Sequence, residues 1–238
     1  MNERGKLGEA DRKYWSPLTP VLNWVASRVP EGAKVLEIGP GHIPFQRADT
    51  FVGWLGEGDN FFKCDIDKDS LPFDDNTLDF VYFRHVLEDI YNLFHVCPEM
   101  SRAAKAGYVE TLSPLAEMCR GIDASSPRWR GYHHHRYFVW NDGGKLCFLS
   151  KYPVVEFIDD DQFDAQIAEV LRNQNLYWNT YFLWEDEIDF HYFQHEIDFN
   201  ITVDYGELIV KAIQASQAST FSFGEDLSRR SAETPKSA

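Results

Sequence analysis

Cysteine is scarce and unpatterned in this 238-residue chain. The four present, Cys64, Cys97, Cys119 and Cys147, form no C-x-x-C pair, which excludes reading a zinc knuckle or a dithiol redox centre. Without a disulfide framework, a reduced, cytoplasmic setting is the expectation. Long apolar runs are missing as well. The charged start Met1–Lys6 leads into no apolar stretch, and no window approaches the roughly 18 apolar residues of a span, so neither a secretory signal nor membrane insertion is expected. Positive charge is in deficit: 23 Lys and Arg against 38 Asp and Glu leave a formal charge of −15, which disfavours nucleic acid and anionic membrane as partners. The remainder is ordinary for a globular chain, with 44% hydrophobic and 26% charged residues and length for one domain with an elaboration.

Hydrophobic patterning divides the chain. Val21, Val25 and Val29 fall on one helical face in the N-terminal segment 1–30, and Pro30 stops that helix. Short apolar strands follow at 33–38, 50–54, 61–64 and 78–83, with another at 107–111. Helices are expected to begin at His85–Asn92 and at Pro98, the latter with proline in its first position. Alternation of this kind predicts a parallel sheet covered by helices, an α/β core over 31–150. No helix, or a short one, is expected after the first strand, because Ile43-Pro44 follows the turn there. Segments 136–140 and 145–151 read as a hairpin around Asn141-Asp142-Gly143-Gly144. The segment 151–216 reads as an antiparallel, aromatic-rich elaboration. It contains a helix near 160–172 and two Ile-Asp-Phe repeats at 188–190 and 197–199. Residues 217–238, rich in Ser and Ala, read as a poorly ordered tail.

The first strand ends as Val35-Leu36-Glu37-Ile38-Gly39-Pro40-Gly41-His42. An acid followed by two glycines lets main chain approach a ligand closely, and open α/β sheets bind ligands at this carboxyl end. A glycine pair at a strand end is also, commonly, just a turn. The last glycine of G-x-G-x-x-G is absent, so a nicotinamide or nucleotide-sugar enzyme is the weaker reading.

Five segments in order resemble the class I S-adenosylmethionine-dependent methyltransferases, of the methyltransferase type 11 kind. They are Glu37-Ile-Gly39-Pro-Gly41, then Cys64-Asp65-Ile66 with Leu71-Pro72-Phe73, Thr77–Tyr82, His85-Val-Leu-Glu88-Asp89, and Pro98–Arg102. The resemblance covers roughly residues 30–115. It implies a doubly wound, mainly parallel Rossmann-like sheet, S-adenosyl-L-methionine as cofactor, and methyl transfer to an O or N atom of a small-molecule acceptor. It also implies that Gly39, Pro40, Gly41 and His42 run against the methionine part, with Glu37 organising the turn or reaching the ammonium. Asp65 would accept from the adenine amino group, Ile66 would pack on the ring, and Phe83 and Arg84 would lie beside the methionine chain. The chain departs from the family at the end of its second strand, where Gly53-Trp54 replaces the acid that binds the ribose hydroxyls. That departure keeps a catalytically silent scaffold or regulatory subunit as the alternative.

A general base is needed where the acceptor carries a proton. His135 and His133, on one face of an extended Gly131–Trp140 segment, and His85 beside the cleft are the candidates; a polar loop with satisfied histidines fits the same pattern. No metal site is expected: His191 and His195 have helical spacing but lie among aromatic residues with no third ligand. The acidic run Trp184–Asp189 would steer a cationic acceptor or form a solvated face. The aromatic second half suits a pocket, an ordinary core or a homodimer contact.

Overall fold

A computed structural model describes residues 16–126, 128–158, 160–193 and 201–233. Helix α1 (Thr19–Ala26) precedes β1 (Val35–Ile38), β2 (Thr50–Gly53), β3 (Phe61–Lys63) and β4 (Phe80–Arg84). Then come α2 (Leu93–Ala103), β5 (Ala106–Leu112), α3 (Pro114–Glu117), β6 (Tyr137–Asp142) and β7 (Lys145–Ser150). The chain continues through α4 (Asp161–Asn173), β8 (Asn179–Glu185), β9 (Phe190–Tyr192) and α5 (Ile201–Glu233).

Six strands make the main sheet in the order β3-β2-β1-β4-β5-β8. The first five are parallel, and β8 runs antiparallel to β5. Successive residues of β4 point to opposite faces, and both faces are covered. Phe80 and Tyr82 join Val21, Val25 and Leu227 on one side, under α1 and the end of α5. Val81 and Phe83 join Val96, Met100 and Ala103 of α2 on the other. This is the doubly wound, mainly parallel architecture expected from the apolar strands. A second sheet, β6-β7-β9, contains the expected hairpin, whose turn residues Gly143 and Gly144 both have positive φ.

Several segments differ from expectation. Residues 85–92 are not helical. His85 sits at φ 51°, which breaks a right-handed helix, and Asp67 Oδ1 accepts from the amides of Tyr91 (2.7 Å) and Asn92 (2.9 Å), so the helix starts at Leu93. Pro98 lies inside α2 instead of opening it, at the cost of one main-chain hydrogen bond. β8 belongs to the main sheet although it follows the expected core boundary at 150. The first Ile-Asp-Phe copy leads into β9, which pairs parallel with β7; the second lies outside the described residues.

The largest correction concerns the expected tail, because α5 runs through residues 217–233. The small residues that read as disorder are spaced for packing. Ala212, Ser216 and Thr220 recur every four residues and are buried, so α5 approaches the sheets closely, with Ser216 Oγ 3.4 Å from Thr180 Oγ1. Phe223 then stacks on Tyr181 at 4.5 Å, and Asp226 accepts from Trp24 Nε1 at 2.7 Å. Residues 234–238 lie outside the described ones.

If Thr220 is a packed position, Thr220→Leu overfills it and lowers stability by about 1–3 kcal/mol in urea denaturation. In a loose tail the same change is neutral, so an unmoved midpoint contradicts the packing.

Candidate functional site

The carboxyl end of β1 is shaped by one buried acid. Glu37 Oε2 accepts from the Phe45 amide at 2.8 Å, which folds the loop after β1 back onto the strand. Gly39 has φ 68°, and a Cβ there would meet Val86 Cγ2 at 2.5 Å, so glycine is needed for both conformation and space. Burial pushes the Glu37 carboxyl up to about 7, against the opposing pull of the Phe45 amide and the Arg84 charge.

The next strand tip brings a second set of charges. Arg84 Nε donates to Glu110 at 3.0 Å. His85 Nδ1 is 3.0 Å from Glu88 Oε1, and that buried oxygen also accepts from the Leu112 amide at 3.2 Å. Burial alone would raise the Glu88 carboxyl, but His85 and His135 outweigh it and hold it below the usual range. Asp89 is half-buried, and burial pushes its carboxyl up to about 6, with His135 pulling the other way.

The histidine run is fastened onto this segment by its arginine. The Arg136 amide donates to the Glu88 carbonyl at 2.6 Å and its Nε to the Asp89 carbonyl at 2.9 Å, while the guanidinium lies 3.4 Å from the Tyr91 ring centroid. His133-His134 form a turn instead of an extended segment, so the expected shared face of His133 and His135 does not form. His133 is exposed, with Nδ1 2.8 Å from Asp123. His135 is buried, with Nδ1 hydrogen-bonded to Glu117. Burial pushes the His135 imidazole down, yet the Glu117 charge and hydrogen bond win and raise it.

Glu117 is itself fully buried and is held charged by Lys151, whose Nζ donates to it at 2.6 Å and to the Arg130 and Tyr132 carbonyls at 2.7 Å. Its carboxyl, raised by burial, ends below the usual range through Lys151 and His135. Gly131, at φ 56°, lies directly against Glu117, so no side chain fits there. Behind this layer the buried Arg120 and Arg130 share Asp164, which pins the 119–131 loop to α4.

These pieces surround a cavity of about 510 Å³. Of the expected site residues, Glu37, Gly39, Gly41, His42, Arg84, His85 and His135 line it. Sequence reasoning missed Asp89, Tyr132 and His134, which also line it, and Glu117 and Lys151, which stand behind it. No spacing rule connects Glu117 to His135, 18 residues later; only the close pass of α3 under the loop does.

The other expected residues stand apart from that cavity. Phe83 and Ile66 both belong to the core cluster on that side of the sheet. Asp65 makes contacts within its own turn: Oδ2 accepts from Lys68 Nζ at 2.6 Å and Oδ1 from the Asp67 amide at 3.3 Å. Pro40 packs toward Gly53 at the end of β2, with Phe61 beside it; a Cβ at Gly53 would meet them at 3.6 and 3.5 Å. Trp54, in the place of an acid, is 70% exposed. His191 packs on Phe193 at 4.3 Å, and His195 lies outside the described residues. The acid side chains Glu185, Asp186 and Glu187 face solvent, as a solvated run does.

No protein-family model matches the chain, and no curated protein matches it. Among solved structures, it is similar to an S-adenosylmethionine-dependent methyltransferase from Mesorhizobium loti, with 14% identity, TM-score 0.33, and coverage of 59% of this chain and 67% of that one. It is also similar, at 16% identity and TM-score 0.40, to a chain from the complex of the Haloferax volcanii Trm112 methyltransferase activator with a protein described as a methyltransferase. That match covers 75% of this chain and 91% of that one. Strands β1 to β5 stand in the order 3-2-1-4-5, the doubly wound, Rossmann-like arrangement expected for this chain. No helix of the described residues is long and apolar enough to cross a membrane.

The raised Glu37 carboxyl makes stability depend on pH. A carboxyl raised from 4.5 to about 7 contributes stability below its unfolded value and loses it as pH rises through about 7. Wild-type protein should therefore lose about 3 kcal/mol between pH 4.5 and 8 relative to Glu37→Gln. Parallel stability curves for the two proteins would show that Glu37 does not titrate in that window.

Proposed function

We propose that this chain transfers a methyl group from S-adenosylmethionine to an O or N atom of a small-molecule acceptor held in the cavity at the tips of β1 and β4. One observation carries the reading. Main chain at Gly39 and Gly41, the acid Glu37, the cation Arg84 and the histidines His85 and His135 all border one space. Their chemistry suits the amino-acid end of the cofactor. Ionised Glu37 would hold the ammonium, and the Arg84 guanidinium, which borders the same space, would hold the carboxylate. When bound, the cofactor supplies a methyl group activated on a sulfonium.

This chain's own residues then position the acceptor and exclude water. His135 takes the proton of an acceptor that carries one, at Nε2, because Glu117 engages Nδ1 and stabilises the resulting imidazolium. Lys151 positions Glu117.

A second reading, a methyltransferase fold without turnover, is favoured by the nucleoside side. The end of β2 carries Gly53 and no acid, Asp65 is engaged by Lys68, and Ile66 is core. Loss of the ribose hydrogen bonds costs about 1–3 kcal/mol, roughly one to two decades of affinity.

Calorimetry with S-adenosylmethionine and S-adenosylhomocysteine, followed by methyl transfer across an acceptor panel, separates the two. Heat together with turnover supports the enzyme, heat without turnover supports the silent protein, and no heat at millimolar ligand removes the enzyme. Affinity should also weaken up to about tenfold per pH unit below pH 7, as Glu37 gains its proton. Glu37→Gln should bind less tightly and lose that dependence, whereas an unchanged profile would place the ammonium elsewhere.

A further inference from the structure

We propose that Asp89, His134 and His135 form a binding site for a divalent transition-metal ion of the Zn²⁺ or Co²⁺ kind, with its remaining coordination positions open to the cavity. One oxygen of Asp89 and one ring nitrogen of each histidine lie within 4.8 Å of one another, and Asp89 Oδ1 is 3.9 Å from His134 Nε2. Ligands bound at about 2.0–2.2 Å from zinc stand about 3–3.5 Å apart, so a closure of up to about 1.5 Å brings the three atoms to binding distance. The half-exposed His134 side chain has the freedom to make it.

Two observations separate this cluster from a chance meeting of polar residues. Asp89 Oδ1 is buried and accepts no hydrogen bond among the described residues, a costly state for a carboxylate oxygen that a cation would relieve. Glu117 holds His135 by Nδ1, which leaves Nε2 as its nitrogen for the cluster. A carboxylate behind an imidazole in this way fixes the ring and raises its basicity toward a metal. The backbone is already committed too, because the two Arg136 hydrogen bonds lock residues 88–89 against 135–136.

The donor set selects the ion. Two imidazoles and one carboxylate with open positions suit borderline divalent ions, whereas calcium and magnesium take oxygen ligands. Such an ion would accept an oxygen donor from a small molecule in the cavity. In the loaded protein His135 Nε2 would hold the ion, so its role as base belongs to the metal-free protein; a coordinated hydroxyl would release its proton to bulk water. The site stands without the cofactor, and its test omits the cofactor.

Untagged full-length protein, stripped with chelator, is titrated with Co²⁺ while visible absorption is read, and with Zn²⁺ and Mg²⁺ by calorimetry. The proposal predicts saturable binding of one Co²⁺ or Zn²⁺, no heat with Mg²⁺, and a rise in Tm with Zn²⁺. Asp89→Asn and His134→Ala should each weaken the metal roughly tenfold or more and reduce the Tm rise. Their own Tm without metal shows that they are folded. Cys64→Ser and His95→Ala, outside the cluster, should leave the affinity unchanged. Absence of saturable binding overturns the site, as does binding that either cluster variant leaves intact.

Discussion

The buried carboxylate of Glu117 is the constraint on which the cavity depends. A fully desolvated charge is tolerable only when it is paired and hydrogen-bonded, and Glu117 meets that condition with Lys151 on one oxygen and His135 on the other. The pairing fixes three pieces of chain at once. Lys151 reaches the carbonyls of Arg130 and Tyr132, Gly131 packs without a side chain against the acid, and His135 presents its other nitrogen toward the strand tips. Arg120 and Arg130 repeat the device one layer out around Asp164. The histidine loop is therefore held by buried electrostatics more than by regular structure.

The site is asymmetric about β1. On the β4 side it is roomy and charged, with Glu37, Arg84, Asp89 and two carboxylate-backed histidines near one another. On the β2 side it is spent on the protein itself: Phe61 and Pro40 lie against Gly53, and Asp65 closes its own turn. An amino-acid-like group with opposite charges fits the first side. A nucleoside gains few polar partners on the second, which is why the functional question turns on affinity at that end.

Local features of the core were legible in the sequence because they rest on local physics. Each apolar run of four to six residues became a strand, Gly143-Gly144 made its turn, and Glu37-Ile-Gly39 marked the carboxyl end of β1. What escaped was set by distant contacts. β8 could not be assigned because its partner β5 lies about seventy residues earlier. The Ala212, Ser216 and Thr220 stripe looked like low complexity until a sheet was placed against it. An extended segment puts His133 and not His134 beside His135, whereas the turn there brings His134 to the cavity. Glu117 and Lys151 carry no signal in spacing, since long-range burial alone makes them partners.

The most direct measurement is a crystal structure of the protein soaked with S-adenosylhomocysteine. The account predicts ligand density with the amino-acid end between Glu37 and Arg84 and its sulfur facing the His134–His135 loop. Density elsewhere on the sheet, or side chains collapsed into that space with ligand excluded at saturating concentration, would contradict it.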